Sequence, residues 1–512
     1  PSVIADIMNE AGTKILIALG PVPDSDIWSK VEVIAAEVKS LHAILRVDPG
    51  ALSDEFLLPP LQDKSSIASV PVLDFDRTIT QEDKVSLIKD GKTDPKNIAS
   101  YFHTGGTTGN PKIAQHSHFN EVANASVFGA ISNKGKPVNF FVGLPLFHVN
   151  AVVATGLGVF ATGGCVTLLT SQGYRNPIIH ENFWALVDKY KATHFSCVPT
   201  VLNSLLNTTV GDSDISSLDF AICGAAPLST ALFEAFERKF NIRILEGYGL
   251  TEGTCVSSLN PSEGERRVGS IGLRIPYQSM KPVIIDCNGN YLRDCEVDEV
   301  GVIVISGPNV FPGYKQKKLN AGSFIDDGWL ITGDLGRQDS DGYFWLTGRA
   351  KDLIIRGGHN IDPSIIEACL ARHPAIAEIA AIGQPDAYAG ELPCAYVTLK
   401  PTQTVTPKEL NEYARSHITE RAAVPAYIEI IDEMPLTGVG KIFKPALRKM
   451  ATERVLSSTL ADADIEAYIN ARYDEKLGLV AAIYSTHSKE IIVRTLHKFA
   501  ITLEFSCNVE ES

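Results

Sequence analysis

Over the first two thirds of the chain, short runs of β-branched and aromatic residues alternate with segments whose apolar positions recur every three to four residues. The runs fall at 14–19, 138–144, 165–169, 193–198, 220–223 and 242–245. Such alternation predicts β-α units and parallel sheets covered by helices. Between 281 and 347 the pattern changes to hairpins, with turn signals at Asn288-Gly289, Asp327-Gly328 and Asp341-Gly342. After Gly348 a smaller α+β segment is expected, with helices over 363–372 and 407–419, strands over 377–382, 395–399 and 428–431, and a basic helix from Pro445. Beyond Ala451 the pattern predicts a polar helix, a strand at 480–484, a helix through 489–497 and a strand at 501–505. The expected division is therefore 1–350, 351–450 and an extension over 451–512.

One stretch imitates a membrane span. Between Lys136 and Arg175 the only side chain that takes a charge near neutral pH is His148, and residues 151–170 match the length of a bilayer helix. Gly156, Gly158, Gly163 and Gly164 interrupt it, so a buried helix followed by a strand is the expectation, with no transmembrane segment. Basic residues number 46 against 60 acidic, a net charge of −14, which argues against nucleic acid as a partner. At 45% hydrophobic and 21% charged over 512 residues, the chain can bury several cores. Nine scattered cysteines with no C-x-x-C pair argue against a zinc site and read as reduced thiols of a cytoplasmic protein. The chain opens at Pro1 without a leader pattern, and its N-terminus is expected to be processed or incompletely represented.

The densest chemical signal is Thr104-Gly105-Gly106-Thr107-Thr108-Gly109-Asn110-Pro111-Lys112. Its glycines let backbone N–H groups converge, its threonines add donors and Lys112 adds a cation, which together suit a polyphosphate. It is not a Walker loop, because Asn110 and Pro111 separate the last glycine from the lysine. In Gly247-Tyr248-Gly249-Leu250-Thr251-Glu252, a ring between glycines can face a base, Thr251 can reach a phosphate and Glu252 is a hard oxygen ligand for Mg²⁺. Small residues at Gly224, Ala225 and Ala226 would let a flat ring approach the backbone. Asp334, in Thr332-Gly333-Asp334, can accept from both hydroxyls of a ribose, and Arg349 follows a second aromatic strand. Asp339-Ser340-Asp341-Gly342 begins like a calcium loop but lacks the later ligands and reads as a hairpin turn. His148, alone in its apolar run, reads by itself as a core histidine more readily than a functional one. Two glycines before Lys441 make a loop able to deliver a long cation. Gly156-Leu157-Gly158 is assigned to packing, and Asp212-Ser213-Asp214 to a polar loop.

Taken together and in this order, the motifs resemble those of the adenylate-forming superfamily over roughly residues 95 to 450. The resemblance implies an α/β fold, with a large N-terminal domain of parallel α/β sheets plus a β-barrel-like part and a smaller, mobile α+β C-terminal domain. It implies an acyl-CoA synthetase that uses ATP, Mg²⁺ and coenzyme A: a small-molecule carboxylic acid becomes an acyl-adenylate, then the thiol displaces AMP. By resemblance Thr104–Lys112 holds phosphates, Gly224, Ala225, Ala226 and Tyr248 adenine, Asp334 and Arg349 ribose, and Glu252 the metal. His148 borders the carboxylate, Lys441 is the catalytic lysine, Lys351 the hinge, and Gly357 and Gly358 border the pantetheine channel. No aspartate stands near His148 to hold an amino group, which favours an acid without one. Transfer to a carrier protein or another acceptor, and a non-catalytic nucleotide binder, are the alternatives. The chain departs from the family at Gly105, usually serine, and at Ile113, usually glycine, and only 103 residues precede its loop.

Overall fold

The structure is a computed structural model that describes residues 1–22, 25–48, 65–81, 93–104, 112–132, 135, 137–226, 228–286, 289–325, 328–349, 352–357, 359–438, 440–474, 478–499 and 501–505. At 231, 349, 359, 360 and 478 only the backbone is described.

The chain forms two compact units. The first comprises Pro1–Gly106, Asn110–His118 and Pro312–Leu319. Its strands Ile15–Leu19, Ala43–Val47 and Val70–Asp74 run parallel, with Ser66–Ile67 antiparallel at the edge. Helices Ser2–Ala11 and Ile27–Glu37 bury Ala5, Met8, Val31 and Ile34 against Ile44 and Val72. A hairpin of Ile98–Thr104 and Lys112–Ser117 is braced by the 312–319 segment, where the Lys315 N–H donates to the Ile113 carbonyl at 2.9 Å and its Nζ to the Ala11 carbonyl at 2.8 Å.

The second unit contains the remaining elements, around a seven-stranded sheet in the order Leu273–Arg274, Val256–Leu259, Arg243–Gly249, Phe220–Cys223, His194–Cys197, Asn139–Val142, Cys165–Leu168. The last five are parallel, as the apolar runs predict, because a strand covered on both faces has no polar side to show. Their core holds Phe141, Phe183, Trp184, Phe195 and Phe236, with the Phe183 and Trp184 rings 5.1 Å apart edge to face. The Trp184 indole N–H donates to Thr208 Oγ1 at 2.8 Å. Helix Thr230–Phe240 starts where the Ser229 hydroxyl accepts from the Leu232 N–H, and ends in a left-handed Asn241.

The uncharged stretch differs from expectation. Asn150–Gly158 is a π-helix, continued by the short helix Val159–Ala161 and the strand Cys165–Leu168. The Thr155 hydroxyl bonds the Asn150 carbonyl five residues back at 3.1 Å, and the turn crosses helix His118–Ser132 at glycines. A Cβ at Gly129 would stand 2.5 Å from the Gly158 carbonyl oxygen. No helix among the described residues is long and apolar enough to cross a membrane.

An antiparallel sheet follows in the order Tyr291–Asp294, Ser279–Ile285, Gly301–Ser306, Trp329–Gln338, Phe324–Ile325, with Phe344–Arg349 also paired to Trp329–Gln338. The next sheet orders His359–Ile361, Ile354–Arg356, Gly390–Leu399 and Ile376–Asp386, with Tyr427–Ile430 parallel to Gly390–Leu399. Helices Pro363–Leu370 and Pro407–His417 cover it, the latter opened by a capping box of Thr406 and Glu409. Residue 450 lies inside one continuous helix, Lys444–Ala461, where the sequence suggested two. Leu447 and Ala451 bury against Tyr396 and Met434, while Leu456 and Leu460 enter the core of a C-terminal sheet. That sheet pairs Tyr468–Asp474, Gly478–Tyr484 and Thr502–Phe505 beside helix Lys489–Leu496. The sequence reading passed over Tyr468–Asp474 because only Ile469 and Ala471 of its seven residues are buried.

Trp184→Ala is expected to cost about 3–5 kcal/mol in chemical denaturation. Thr208→Val, which leaves the indole N–H unpaired, is expected to cost about 1–3 kcal/mol.

Candidate active site

In the first unit, Thr104 and Lys112 face each other across the hairpin, Thr104 ending one strand and Lys112 beginning the next. Gly105, Gly106, Thr107, Thr108 and Gly109 lie outside the described residues. The Lys112 ammonium sits 5.4 Å from the centre of the Tyr314 ring.

In the second unit, the adjacent parallel strands Phe220–Cys223 and Arg243–Gly249 bring two of the motifs together. A Cβ at Gly224 would stand 2.8 Å from the Gly247 carbonyl oxygen, and one at Gly249 1.7 Å from that of Cys255, so both glycines are required by backbone contact. Ala225 turns with φ +70°. The Tyr248 hydroxyl donates to Asp334 Oδ2 at 2.5 Å. Asp334 is buried, its N–H donating to the Thr332 hydroxyl, which itself donates to the Ile303 carbonyl at 2.7 Å. Arg349 stands directly opposite Asp334 in the antiparallel register.

Thr251 and Glu252 ride on a single 3₁₀ turn, Thr251–Gly253. The turn is held at three points: the Phe311 N–H donates to the Glu252 carbonyl at 2.9 Å, Asn309 Nδ2 to the Gly253 carbonyl at 3.0 Å, and the Thr254 hydroxyl to the Asn309 carbonyl at 2.6 Å. Both side chains are partly exposed.

Lys441 closes a tight turn. Thr437 donates its N–H to the Lys441 carbonyl at 2.7 Å and accepts the Lys441 N–H on its hydroxyl at 3.1 Å. Gly440, at φ +78°, supplies the left-handed residue that closure needs. The turn packs against the His148 segment: a Cβ at Gly438 would lie 3.6 Å from Phe147 Cζ. His148 Nδ1 accepts from the Asn150 N–H at 3.4 Å. Gly357, at φ +58°, donates its N–H to the Ala389 carbonyl at 2.7 Å. Lys351 and Gly358 lie outside the described residues.

Sequence reasoning missed two residues here. Thr200 touches the lysine turn, and nothing in its local sequence marks it. Glu246 does carry a signal, as a lone carboxyl closing the apolar run before Gly247. It is buried on the strand end, beside Cys223 and two strands from Cys197, and its Oε2 has no hydrogen-bond partner among the described residues. Burial, against a smaller pull from the Leu228 and Gly269 backbone, pushes its pKa up to about 7. Burial likewise raises the Cys223 thiol.

Residues 1–315 match the AMP-binding enzyme family, and residues 365–441 match the AMP-binding enzyme C-terminal domain. The chain is 38% identical over 494 residues to the marinolic acid–CoA ligase of Pseudoalteromonas sp. (strain SANK 73390), covering 95% of this chain and 73% of the relative. Because that alignment omits only 5% of the chain, it includes part of the C-terminal extension. A long-chain-fatty-acid–CoA ligase of Bacillus subtilis (strain 168) is 33% identical over 411 residues, 78% of this chain and 70% of the relative. ATP-bound MatB from Rhodopseudomonas palustris superposes with a TM-score of 0.73 at 25% identity, covering 87% of this chain and 81% of that one. The anthranilate CoA ligase AuaEII, in complex with anthranoyl-AMP, shares the fold at TM-score 0.75 and 23% identity, over 89% and 81%. The chain belongs to the AMP-binding enzymes of the adenylate-forming superfamily. Within it, this is an AMP-forming acid–CoA ligase, an ATP-dependent acyl-CoA synthetase.

The Glu246 carboxyl dictates a pH dependence. Its folded value of about 7 lies above the ordinary 4.5, so between those values the native state holds a proton that the unfolded chain has released. Stability is therefore undiminished below about pH 4.5 and falls as pH rises to 7. Relative to Glu246→Gln, the wild type is expected to lose about 3 kcal/mol across that window. Urea unfolding of both proteins at pH 5 and pH 8 checks it, and parallel changes in the two would refute it.

Proposed function

We propose that the chain joins a carboxylic acid bearing an extended apolar group to coenzyme A, through an acyl-adenylate, in the cytoplasm. The observation that carries this reading is the corner where Gly224 and Gly247 pack backbone to backbone beside the Tyr248 ring, whose hydroxyl meets the buried Asp334 carboxylate, so that small residues, a ring and a carboxylate stand together for one nucleoside. Marinolic acid and long-chain fatty acid ligases among the relatives support the apolar acid. The division at about 350 and 450 into a large domain, a smaller mobile domain and an extension is part of the same reading. The seven described cysteines, all free thiols, suit a reducing compartment.

In this assignment Thr104 to Lys112 cradle the phosphates, with Gly105, Gly106, Thr107, Thr108 and Gly109 supplying backbone donors. Gly224, Ala225, Ala226 and Tyr248 flank adenine, and Asp334 with Arg349 holds the ribose hydroxyls. His148 borders the acid, Lys351 is the hinge, and Gly357 and Gly358 border the pantetheine arm. Lys441 neutralises the charge shared by the attacking carboxylate and the α-phosphate, so its contribution is positional and electrostatic. Glu252 fits Mg²⁺: it is a hard oxygen donor on a turn fixed by Asn309 and Phe311, and one carboxylate suffices when phosphate oxygens and water complete the shell, with Thr251 on the same turn reaching a phosphate. Bound Mg²⁺ would supply charge neutralisation on the phosphates.

Acid-dependent pyrophosphate release from ATP, with and without coenzyme A, over short, medium, long and aromatic acids tests the reading. AMP release that needs coenzyme A, greatest with long apolar acids, is expected. Release indifferent to coenzyme A would point to another acceptor. Lys441→Ala is expected to slow adenylation by about 10²–10³-fold while sparing thioester formation from a supplied acyl-adenylate.

A further inference from the structure

The Lys441 turn rests on a defined platform. Its Gly440 carbonyl accepts from the Thr200 hydroxyl at 3.5 Å, 240 residues away in sequence. A Cβ at Gly440 would sit 3.5 Å from Val198 Cγ2 and 3.6 Å from Thr200 Oγ1, so these two side chains are what the turn faces at that point. Phe147 meets the same turn at Gly438. Val198 and Thr200 belong to the start of helix Pro199–Leu206, which Val198 caps and in which Pro199 takes the first position. The partial positive charge of that helix end favours the carbonyl docked there, and Pro199 has no N–H to compete for it.

We propose that Thr200 is a positioning residue for adenylation: its hydroxyl latches the Gly440 carbonyl and so sets where the backbone of Lys441 stands. The inference rests on assigning Lys441 to adenylation and extends it to the surface that receives the lysine. Thr437 makes the turn rigid from within, and Thr200 fixes its place from outside. The platform is flanked by Phe147, beside His148, and by Val198 at the end of a buried strand, so the lysine turn docks on the same elements that border the acid.

Thr200→Val keeps the shape and removes the hydroxyl, and Thr200→Ser keeps the hydroxyl. In acid-dependent ATP–pyrophosphate exchange, Thr200→Val is expected to lower kcat at least tenfold with KM for ATP within twofold of wild type. Thr200→Ser is expected to recover most of the rate. Thioester formation from a supplied acyl-adenylate should be unchanged in both. In a Lys441→Ala background, Thr200→Val should cost nothing further, because the hydroxyl acts through the lysine. Exchange within twofold of wild type, equal losses in both half-reactions, or an undiminished loss in the Lys441→Ala background would each overturn the proposal. Should Thr200→Val melt at a lower temperature, the Thr200→Ser rate and the double variant still decide it. An adenylation rate unaffected by Lys441→Ala would instead sink the underlying assignment, a separate outcome.

Discussion

The 2.5 Å bond between Tyr248 and Asp334 joins the end of a parallel sheet to a strand of an antiparallel one, and the arrangement of the corner formed by Gly224, Gly247, Tyr248 and Asp334 depends on it. A carboxylate buried this deeply needs donors, since water no longer supplies them. The phenol provides one, and the Thr332 hydroxyl holds the Asp334 backbone in place. With those two sheets tied at one point, Gly224 and Gly249 are held against neighbouring backbone, and a side chain at either would collide with a carbonyl oxygen.

Much of this was legible in the sequence. Fully buried parallel strands read as apolar runs, and the glycine-framed motifs advertise backbone approach. The hairpins from Ser279 to Arg349 followed from Asn-Gly and Asp-Gly signals. Other features depend on contacts between distant residues and leave no local mark. Thr200 is an ordinary second residue of a helix until Gly440 comes to rest on it. The π-helix reflects the Thr155 to Asn150 bond and the crossing at Gly129, neither of which shows in hydrophobic period. Helix Lys444–Ala461 looked like two pieces because its apolar face changes side along its length: Leu447 and Ala451 enter one core, and Leu456 and Leu460, on the opposite side, enter another.

Glu246 illustrates a different kind of hidden feature. The residue was visible, but its state was not: the pull of the Leu228 and Gly269 backbone does not offset the loss of water around a carboxyl enclosed by strands and thiols. Below about pH 7 the carboxyl at this strand end therefore keeps its proton.

Helix Lys444–Ala461 begins three residues beyond Lys441 and runs for 18 residues, about 27 Å at 1.5 Å per residue. Its middle is seated on Tyr396 and Cys394, and its far end is built into the C-terminal sheet, where Glu453 accepts the Ala471 N–H at 2.8 Å. Such a rod pivots about its seated part: a tilt of about 10° around its middle carries each end through about 2 Å in opposite directions. A displacement of the C-terminal sheet and one of the lysine turn are therefore two ends of the same movement.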